Sequence, residues 1–524
     1  MKQQKWMIVL AGALLLNTMY WQEALGINVL ITFIFILGSN FKSTGELIRT
    51  KMGATVITCC AIACSMLVIH NSIVSMIASF TSLIILIGFL HFPKLRTSYS
   101  ALFSGLIDAI KVPEVFISES DDLQPTKKKL NLKFVRLVLI PLIVFSVFVA
   151  IFYGANLYFR TAIDDLFSGI ANFFELFFER ISILRILFFF LCFFISSWIV
   201  FKGVQPLLEK YDIGQSDSLI RKKRQPWNIG AIAAGKRPQF GVLRTLGLKN
   251  ENLSSSLMIV AICCLLLLIN CIDIVTVWFG HSDASTTNFS QEVHEGVNYL
   301  IASILLSIAI LLYVFRGNQN FYTRKKRLVL WANFWMLQNA ILIISVIIRN
   351  YYYIAHQGIT HKRIGVYIFL IIVILGLVSL YRKINQSKSF YFMSKFNSWS
   401  IYLVLIAMTT VNWDLFIVRY NVQHRSSIEM DPYYLCSLSD ETVLYLWKSK
   451  AELNQWEAKS HYRKDIVTPI LERRIAKIQH EQSTNQNRSF LSWNYRSHWM
   501  KQELKGIPYF RYDEYFPREE YIEF

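Results

Sequence analysis

Charge is scarce in this sequence. Asp, Glu, Lys and Arg make up 17% of its 524 residues, against about 25% in an ordinary soluble domain. Hydrophobic residues reach 54% and aromatics 15%. The mean hydropathy is +0.38, and the apolar residues fall in long blocks. Together these exclude an ordinary soluble enzyme and a disordered chain. Acid is scarcer still, with 35 Asp and Glu against 54 Lys and Arg, a net charge of +19. In a soluble protein such an excess would suggest nucleic acid. No nucleic-acid motif accompanies it, so no nucleic-acid partner is expected. Cysteine is nearly absent from polar regions. Cys59, Cys60, Cys64, Cys192, Cys263, Cys264 and Cys271 lie in apolar stretches, and Cys436 alone lies in a polar one. Buried thiols of that kind are small hydrophobes, so a secreted disulfide scaffold is excluded. Internal repeats and low-complexity segments are also lacking. What remains is an all-α, polytopic integral membrane protein.

A spanning helix needs roughly 17–25 apolar residues. Eleven stretches qualify: 6–21, 24–40, 53–70, 72–91, 134–156, 183–203, 257–279, 296–316, 328–348, 364–382 and 399–417. The first could be a signal peptide, because Lys2 and Lys5 precede it. No small-x-small cleavage site follows and a second apolar run starts at once, which favours a retained span and a tight helical hairpin. With a cytoplasmic N-terminus, 31 Lys and Arg fall on the inside segments and 5 on the outside loops. That asymmetry is the one expected for cytoplasmic loops. The predicted topology is a bacterial inner-membrane bundle, 1–417, followed by an extracytoplasmic helical tail, 418–524.

The polar segments have their own patterns. Residues 92–133 include an amphipathic stretch from Ala101 to Val112 and the cluster Lys127-Lys128-Lys129, and 204–256 carries Arg221-Lys222-Lys223-Arg224. Such clusters beside spanning helices attract anionic lipid headgroups, at about 1 kcal/mol per charge. The loop 157–182 places Phe167, Ile170, Phe173, Phe174, Phe177 and Phe178 opposite Asp164, Asp165, Glu175 and Glu179, as in a helix lying in the headgroup plane. In the tail, Ser439-Asp440-Glu441 suits a helix start. Val443, Leu444, Leu446, Trp447, Leu453 and Trp456 follow as one apolar stripe. Further helices are expected over 465–482 and 488–505. The aromatic and charged end of the tail suits docking of a protein partner from the envelope.

Motifs for catalysis or metal binding are incomplete. Gly230 to Arg237 approaches a phosphate-binding loop, but Arg237 stands where a hydroxyl should hold magnesium. His294-Glu295 begins a zinc-protease pattern, and Asn298 stands where the second histidine would be. His281, Asp283, His294, His356 and His361 could converge on a metal, although nothing in their spacing demands it. Neither a cofactor, a metal site nor a catalytic residue is assigned.

The outer ends of the later spans are more informative. Asp273 lies within span seven, Glu292 and Glu295 share a face at the start of span eight, Arg349 and Asn350 close span nine, Arg363 precedes span ten, and Asp414 and Asn421 flank the end of span eleven. Ionisable groups at membrane depth are costly and mark either a site or a buried pair. These eight residues form a candidate outward-facing polar cluster. The alternative is structural, with Arg349 paired to Asp414 or Asp273. Gln338 and Asn339 in mid-span suit hydrogen bonding between helices.

Many of the same residues carry a family resemblance. Glu292-Val293-His294-Glu295-Gly296, Gln338-Asn339, Arg349-Asn350-Tyr351-Tyr352-Tyr353, Gly358-Ile359-Thr360, Arg363, Asp414 and Tyr420-Asn421 resemble a bacterial polytopic membrane family, domain-of-unknown-function family 4153, or its relative 4173. Tyr434-Leu435 and Leu438-Ser439-Asp440 resemble the start of that family's tail. The resemblance is strongest over 250–440. Leu157 and Ile359 depart from it, at positions where proline and leucine are expected. It implies a membrane location and carries no activity. Three functions stay open: a non-enzymatic sensor or accessory subunit of an envelope process; a transporter or lipid-handling protein; and a transferase acting on a lipid-linked substrate, with Arg349 and Arg363 binding phosphate and Asp414 or Glu295 as base. The first is favoured, because no catalytic signature is present and the aromatic, charged tail suits protein docking; against the second, no inverted repeat and no Gly/Pro-broken helix pair near mid-membrane is seen.

Overall fold

The computed structural model describes residues 2–119, scattered positions between 145 and 169, and residues 182–203, 206–221, 245–279, 289–428, 431–459, 467–484 and 489–516. It is 83% helical without strands among the described residues. Six helices are long and apolar enough to cross a membrane: Lys51–His70, Ile73–His91, Ile183–Val200, Leu248–Trp278, Lys326–Gln357 and His361–Asn385. Two bent pairs raise the number to eight: Ile27–Ser39 with Phe41–Ile48, bent by 92°, and Phe390–Thr409 with Trp413–Gln423, bent by 60°. The chain is therefore an all-α membrane bundle, with six to eight candidate spans among the described residues, where the sequence predicts eleven over the whole chain. Of the other three stretches, 6–21 forms most of the helix Lys2–Tyr20. The stretch 296–316 appears as the shorter apolar helix Tyr299–Val314. The stretch 134–156, the Lys127–Lys129 and Lys222–Arg224 clusters, the Gly230–Arg237 segment and most of 157–182 lie outside the described residues.

We number the helices that position the site: α1 Lys2–Tyr20, α2 Ile27–Ser39, α3 Lys51–His70, α4 Ile73–His91, α5 Ser98–Glu119, α6 Ile183–Val200, α7 Thr245–Asp273, α8 Phe289–Val314, α9 Lys326–Gln357, α10 His361–Asn385, α11 Phe390–Thr409 and α12 Trp413–Gln423. The chain then continues as α13 Pro432–Ser437, α14 Asp440–Lys448, α15 Lys450–Lys459, α16 Val467–Thr484 and α17 Tyr495–Leu504. Local chemistry sets many of the boundaries. Thr50, Thr360, Asn412, Asp431 and Asn494 each accept a backbone N–H at a helix start, which is worth about 1 kcal/mol per cap. Ser72 and Ser75 form a reciprocal capping box at the start of α4.

Burial resolves three large apolar cores and a small fourth, where Val9 of α1 meets Val200 and Phe201 at the end of α6. The first joins α2 to α5 and α6 with Tyr402 and Ile406 of α11. The second joins α7 to α10. The first bundle is thus completed by a helix that comes after the second bundle in sequence. The stretch from Ala101 to Val112 belongs to α5, a helix of the first bundle. Ala101, Ser104, Asp108 and Val112 form its buried stripe. It crosses α4 so closely that a Cβ at Gly88 would overlap the Ala101 carbonyl.

The third core is a cap. It unites Ile354, Ile359 and Ile364 at the α9–α10 turn with Ile417, Val418 and Val422 of α12 and with Leu435, Val443, Leu444, Leu446, Leu471 and Ile475 of the tail. α12 therefore turns away from α11 and packs into the cap. The cap also grips the first bundle. Ser489 N donates to both carboxylate oxygens of Glu23 at 3.1 and 3.2 Å, and the Ser492 hydroxyl donates to the same carboxylate. Ile27 N donates to Trp493 O at 3.1 Å, and Arg496 donates to Asn71 O at 3.1 Å. Asn412 donates to Glu441 at 2.7 Å. The turns α1–α2, α3–α4, α9–α10 and α11–α12 thus lie together beneath the cap.

The α4–α5 crossing gives a direct test. Gly88→Val should lower thermal stability in detergent by roughly 1–3 kcal/mol, the usual cost of overpacking. Gly376→Ala, whose Cβ enters open space, should hold or gain stability by under about 1 kcal/mol. Size exclusion after a heat ramp measures both, and equal melting of the two variants would remove the need for close approach at Gly88.

Candidate functional site

The candidate polar cluster is built around the end of α9. This helix runs for 32 residues and stops at Gly358, whose φ is +74°. Such a backbone favours glycine, and any Cβ there would overlap Asn421 Oδ1. Asn421, from α12, reads both polar groups of the next residue. Its Oδ1 accepts from Ile359 N at 2.7 Å and its Nδ2 donates to Ile359 O at 2.8 Å. The side chain thus acts like a neighbouring strand, in a place where the turn has no other backbone partner for Ile359.

Arg363 folds back over the same turn. Its guanidinium donates to Gln357 O at 2.7 Å, to Gln357 Oε1 at 3.0 Å and to Gly358 O, and it sits 3.9 Å from the centre of the Tyr353 ring. These bonds satisfy carbonyls at the end of α9 that no helical N–H reaches, and they place a cation at the negative end of its dipole. Asn350 donates to Arg363 O at 3.0 Å. Asn350, Arg363 and Asn421 are all buried.

Asp414 and Arg349 do not meet. Arg349 Nη2 lies 2.6 Å from Asp273 Oδ1, with Asp273 almost fully buried. That is one of the two pairings expected from the sequence. Asp414 instead takes His361, whose Nε2 lies 2.7 Å from Asp414 Oδ1, and Ser439 N at 3.3 Å. The other nitrogen of His361 lies 3.0 Å from the Tyr434 hydroxyl, which also accepts from His361 N at 2.9 Å. With that N–H donated to it, the phenol can give its own proton to Nδ1, leaving Nε2–H for Asp414 when the ring is neutral. Burial pushes the Asp414 carboxyl up, but the bonds from His361 and Ser439 outweigh it and hold the group below its ordinary value. Burial pushes the Tyr434 phenol up. The side chains of Glu292 and Glu295, and residues 281 and 283, lie outside the described residues.

Six of the eight candidate residues are therefore described, and they fall in two linked parts at the cap end. One is the ion pair Asp273–Arg349 between α7 and α9. The other is the clasp of Asn350, Arg363, Asn421 and Asp414 that joins the α9–α10 turn to the cap. Deeper, Gln338 donates to Cys263 O at 3.0 Å and Asn270 donates to Gln338 O at 3.2 Å, which ties α9 to α7 as mid-span amides can.

Family comparison then matches residues 26–448, well over half of the chain, to the Domain of unknown function (DUF4153). The chain belongs to this family. No curated protein and no solved structure matches it. Both parts of the cluster, and the cap as far as α14, thus lie within the DUF4153 region.

A second polar site lies at the opposite end of the bundle, and the sequence reading missed it. Asp212 is fully buried. It accepts from Tyr391 at 2.9 Å, from Thr97 at 3.3 Å, from Ser100 at 3.4 Å and from Arg96 N at 2.5 Å. Asp217 pairs with Arg96 at 3.0 Å and Lys395 at 2.6 Å. Nearby, His91 and Asp108 form a pair at 2.9 Å with both side chains buried. The one signal in the sequence was Asp108, a carboxylate on the apolar side of the Ala101–Val112 stretch.

The depressed Asp414 gives a pH test. Its ionised form stabilises the folded cap above the ordinary carboxylate range near 4, and that share of stability is lost as pH falls through its lower folded value. Asp414→Asn should melt below wild type at pH 7, and the gap should close on acidification toward pH 3. A gap that stays constant with pH would remove ionisation of Asp414 as the cause.

Proposed function

We propose that the protein is a non-enzymatic sensor or accessory subunit of an envelope process in the bacterial inner membrane. In this reading the N-terminus is cytoplasmic and the cap lies in the periplasm. The observation that carries the reading is the continuous coupling of cap to bundle. A partner that shifted Tyr434 or α12 would act on His361, Asp414 and Asn421. Through Ile359 and Gly358 it would reach the end of α9, one turn of which carries Arg349 against Asp273. Allosteric coupling needs such a chain of contacts between two sites. The distribution of Lys and Arg supports the orientation, because all four turns beneath the cap belong to the basic-poor side.

The cap also offers a surface suited to a protein partner. Tyr509 is 76% exposed and Tyr433 54% exposed, and aromatic side chains anchor interfaces. A photo-crosslinking residue at Tyr509 or at Tyr433 should capture the same discrete protein in the native membrane. The same residue at Leu337, which faces outward from α9 and is 58% exposed, should capture no protein. Cap positions that yield no protein adduct would overturn the accessory reading.

A further inference from the structure

The two helices that carry the Asp273–Arg349 pair also carry a row of buried polar atoms without hydrogen-bond partners among the described residues. On α9 these are Trp335 Nε1, Gln338 Oε1, Asn339 Oδ1 and Arg349 Nε; on α7 they are Asn270 Oδ1 and Asp273 Oδ2. Trp335, Gln338, Asn339, Asn270 and Asp273 are each at least nine-tenths buried. Their positions are helix neighbours: 335, 338, 339 and 349 on one face of α9, and 270 and 273 on one face of α7. Those two faces pack on each other, with the Gln338–Cys263, Asn270–Gln338 and Arg349–Asp273 contacts between them.

The chemistry of the row is defined. Each amide nitrogen already donates to a main-chain carbonyl: Asn270 to Gln338 O, Gln338 to Cys263 O and Asn339 to Trp335 O. A carbonyl can only accept, so the amides cannot be flipped. The unpartnered atoms are therefore three amide oxygens and one carboxylate oxygen, which require donors, and the N–H groups of Trp335 Nε1 and Arg349 Nε, which require acceptors. Each buried polar atom left bare costs about 1–3 kcal/mol, and a lipid surrounding offers no relief. Several such atoms on two facing helices call for a ligand that donates hydrogen bonds and fits between packed side chains. Water does both, and buried waters typically satisfy two to four such atoms.

We propose that the α7–α9 seam holds a file of water that enters at Asp273 and Arg349 and reaches the middle of the membrane at Trp335. The rise from 335 to 349 is about 21 Å along the helix, more than half of a hydrocarbon core of roughly 30 Å. The opposite end is closed. Leu311, Val314, Phe315, Leu328 and Ala332 are all buried there, and Lys383 seals the level of Phe315 by donating to its carbonyl at 3.0 Å. The seam is thus a one-sided access path for water and protons from the cap end, and not a pore. A five-residue π-helical turn, Ile274–Trp278, follows Asp273 at its mouth, and such turns widen a helix where a site is built. The inference stands independently of any partner of the cap.

Hydroxyl-radical footprinting of the protein in lipid nanodiscs tests it, because an X-ray pulse makes radicals from bound water in place. Trp335 is fully buried, whereas Trp331 on the same helix is 37% exposed on the outside of the bundle. With water in the seam, Trp335 is modified faster than Trp331 despite its burial. Asn339→Leu, verified as folded by size exclusion and by unchanged modification of Tyr509, loses most of that signal. Wild-type Trp335 that reacts no faster than Trp331 overturns the proposal. So does undiminished Trp335 modification in Asn339→Leu.

Discussion

The register of the cap on the α9–α10 turn is fixed by the side chain of Asn421. The amide of Asn421 supplies one acceptor and one donor, and both are spent on Ile359. Helix α9 must end abruptly for this to occur, so Gly358 takes a left-handed backbone. The freed carbonyls at that end must then be satisfied, and Arg363 does so. Asn350 holds Arg363 in turn. Hydrogen bonds of this kind are individually modest, but a broken one inside the cluster leaves a buried polar group bare. The cap core packs over this turn in that register, with Ile354, Ile359 and Ile364 beside the tail residues.

The same accounting explains the contrast between the two halves of the cluster. At the turn, nearly every polar atom finds protein, and the result is a rigid joint. Between α7 and α9, the amide nitrogens are satisfied and the oxygens are not. A helix backbone satisfies itself, so polar side chains at membrane depth must find partners from neighbouring helices or from solvent. The bundle therefore pairs a closely bonded joint with a less satisfied polar interior beside it, along one and the same helix.

The sequence carried the parts of this arrangement that depend on local composition. Long apolar runs mark the spanning helices, and Ser439-Asp440-Glu441 marks the start of α14, although the Ser439 side chain makes no capping bond there. The ionisable residues within or beside spans seven to eleven were conspicuous because charge is rare there. Partner choice was not legible. Arg349 could reach Asp273 or Asp414 by its position along the membrane, and only the packing of α7 on α9 selects Asp273. His361 attracted notice as a possible metal ligand, whereas its place is between Asp414 and Tyr434. Asp212 was hidden because it came from a segment read as a loop, and the His91–Asp108 pair because it joins the end of the span 72–91 to an amphipathic stretch outside the expected spans; their contacts span from 17 to 179 positions. The bends in the second span and after α11 were equally invisible, since a bent apolar run and a straight one have the same composition.

The position of α11 has a consequence for how the protein is made. Tyr402 and Ile406 complete the first core, yet they follow the whole second bundle in the chain. Helices α1 to α6 therefore leave the ribosome with an open flank, which must stay accessible while some two hundred further residues are synthesised. Ser489, Ser492 and Arg496 arrive later still and close on Glu23 and Asn71. Assembly of the early helices is thus completed by residues made long after them. A nascent protein interrupted before residue 390 presents an unfinished membrane surface of the kind that insertion chaperones and membrane proteases recognise.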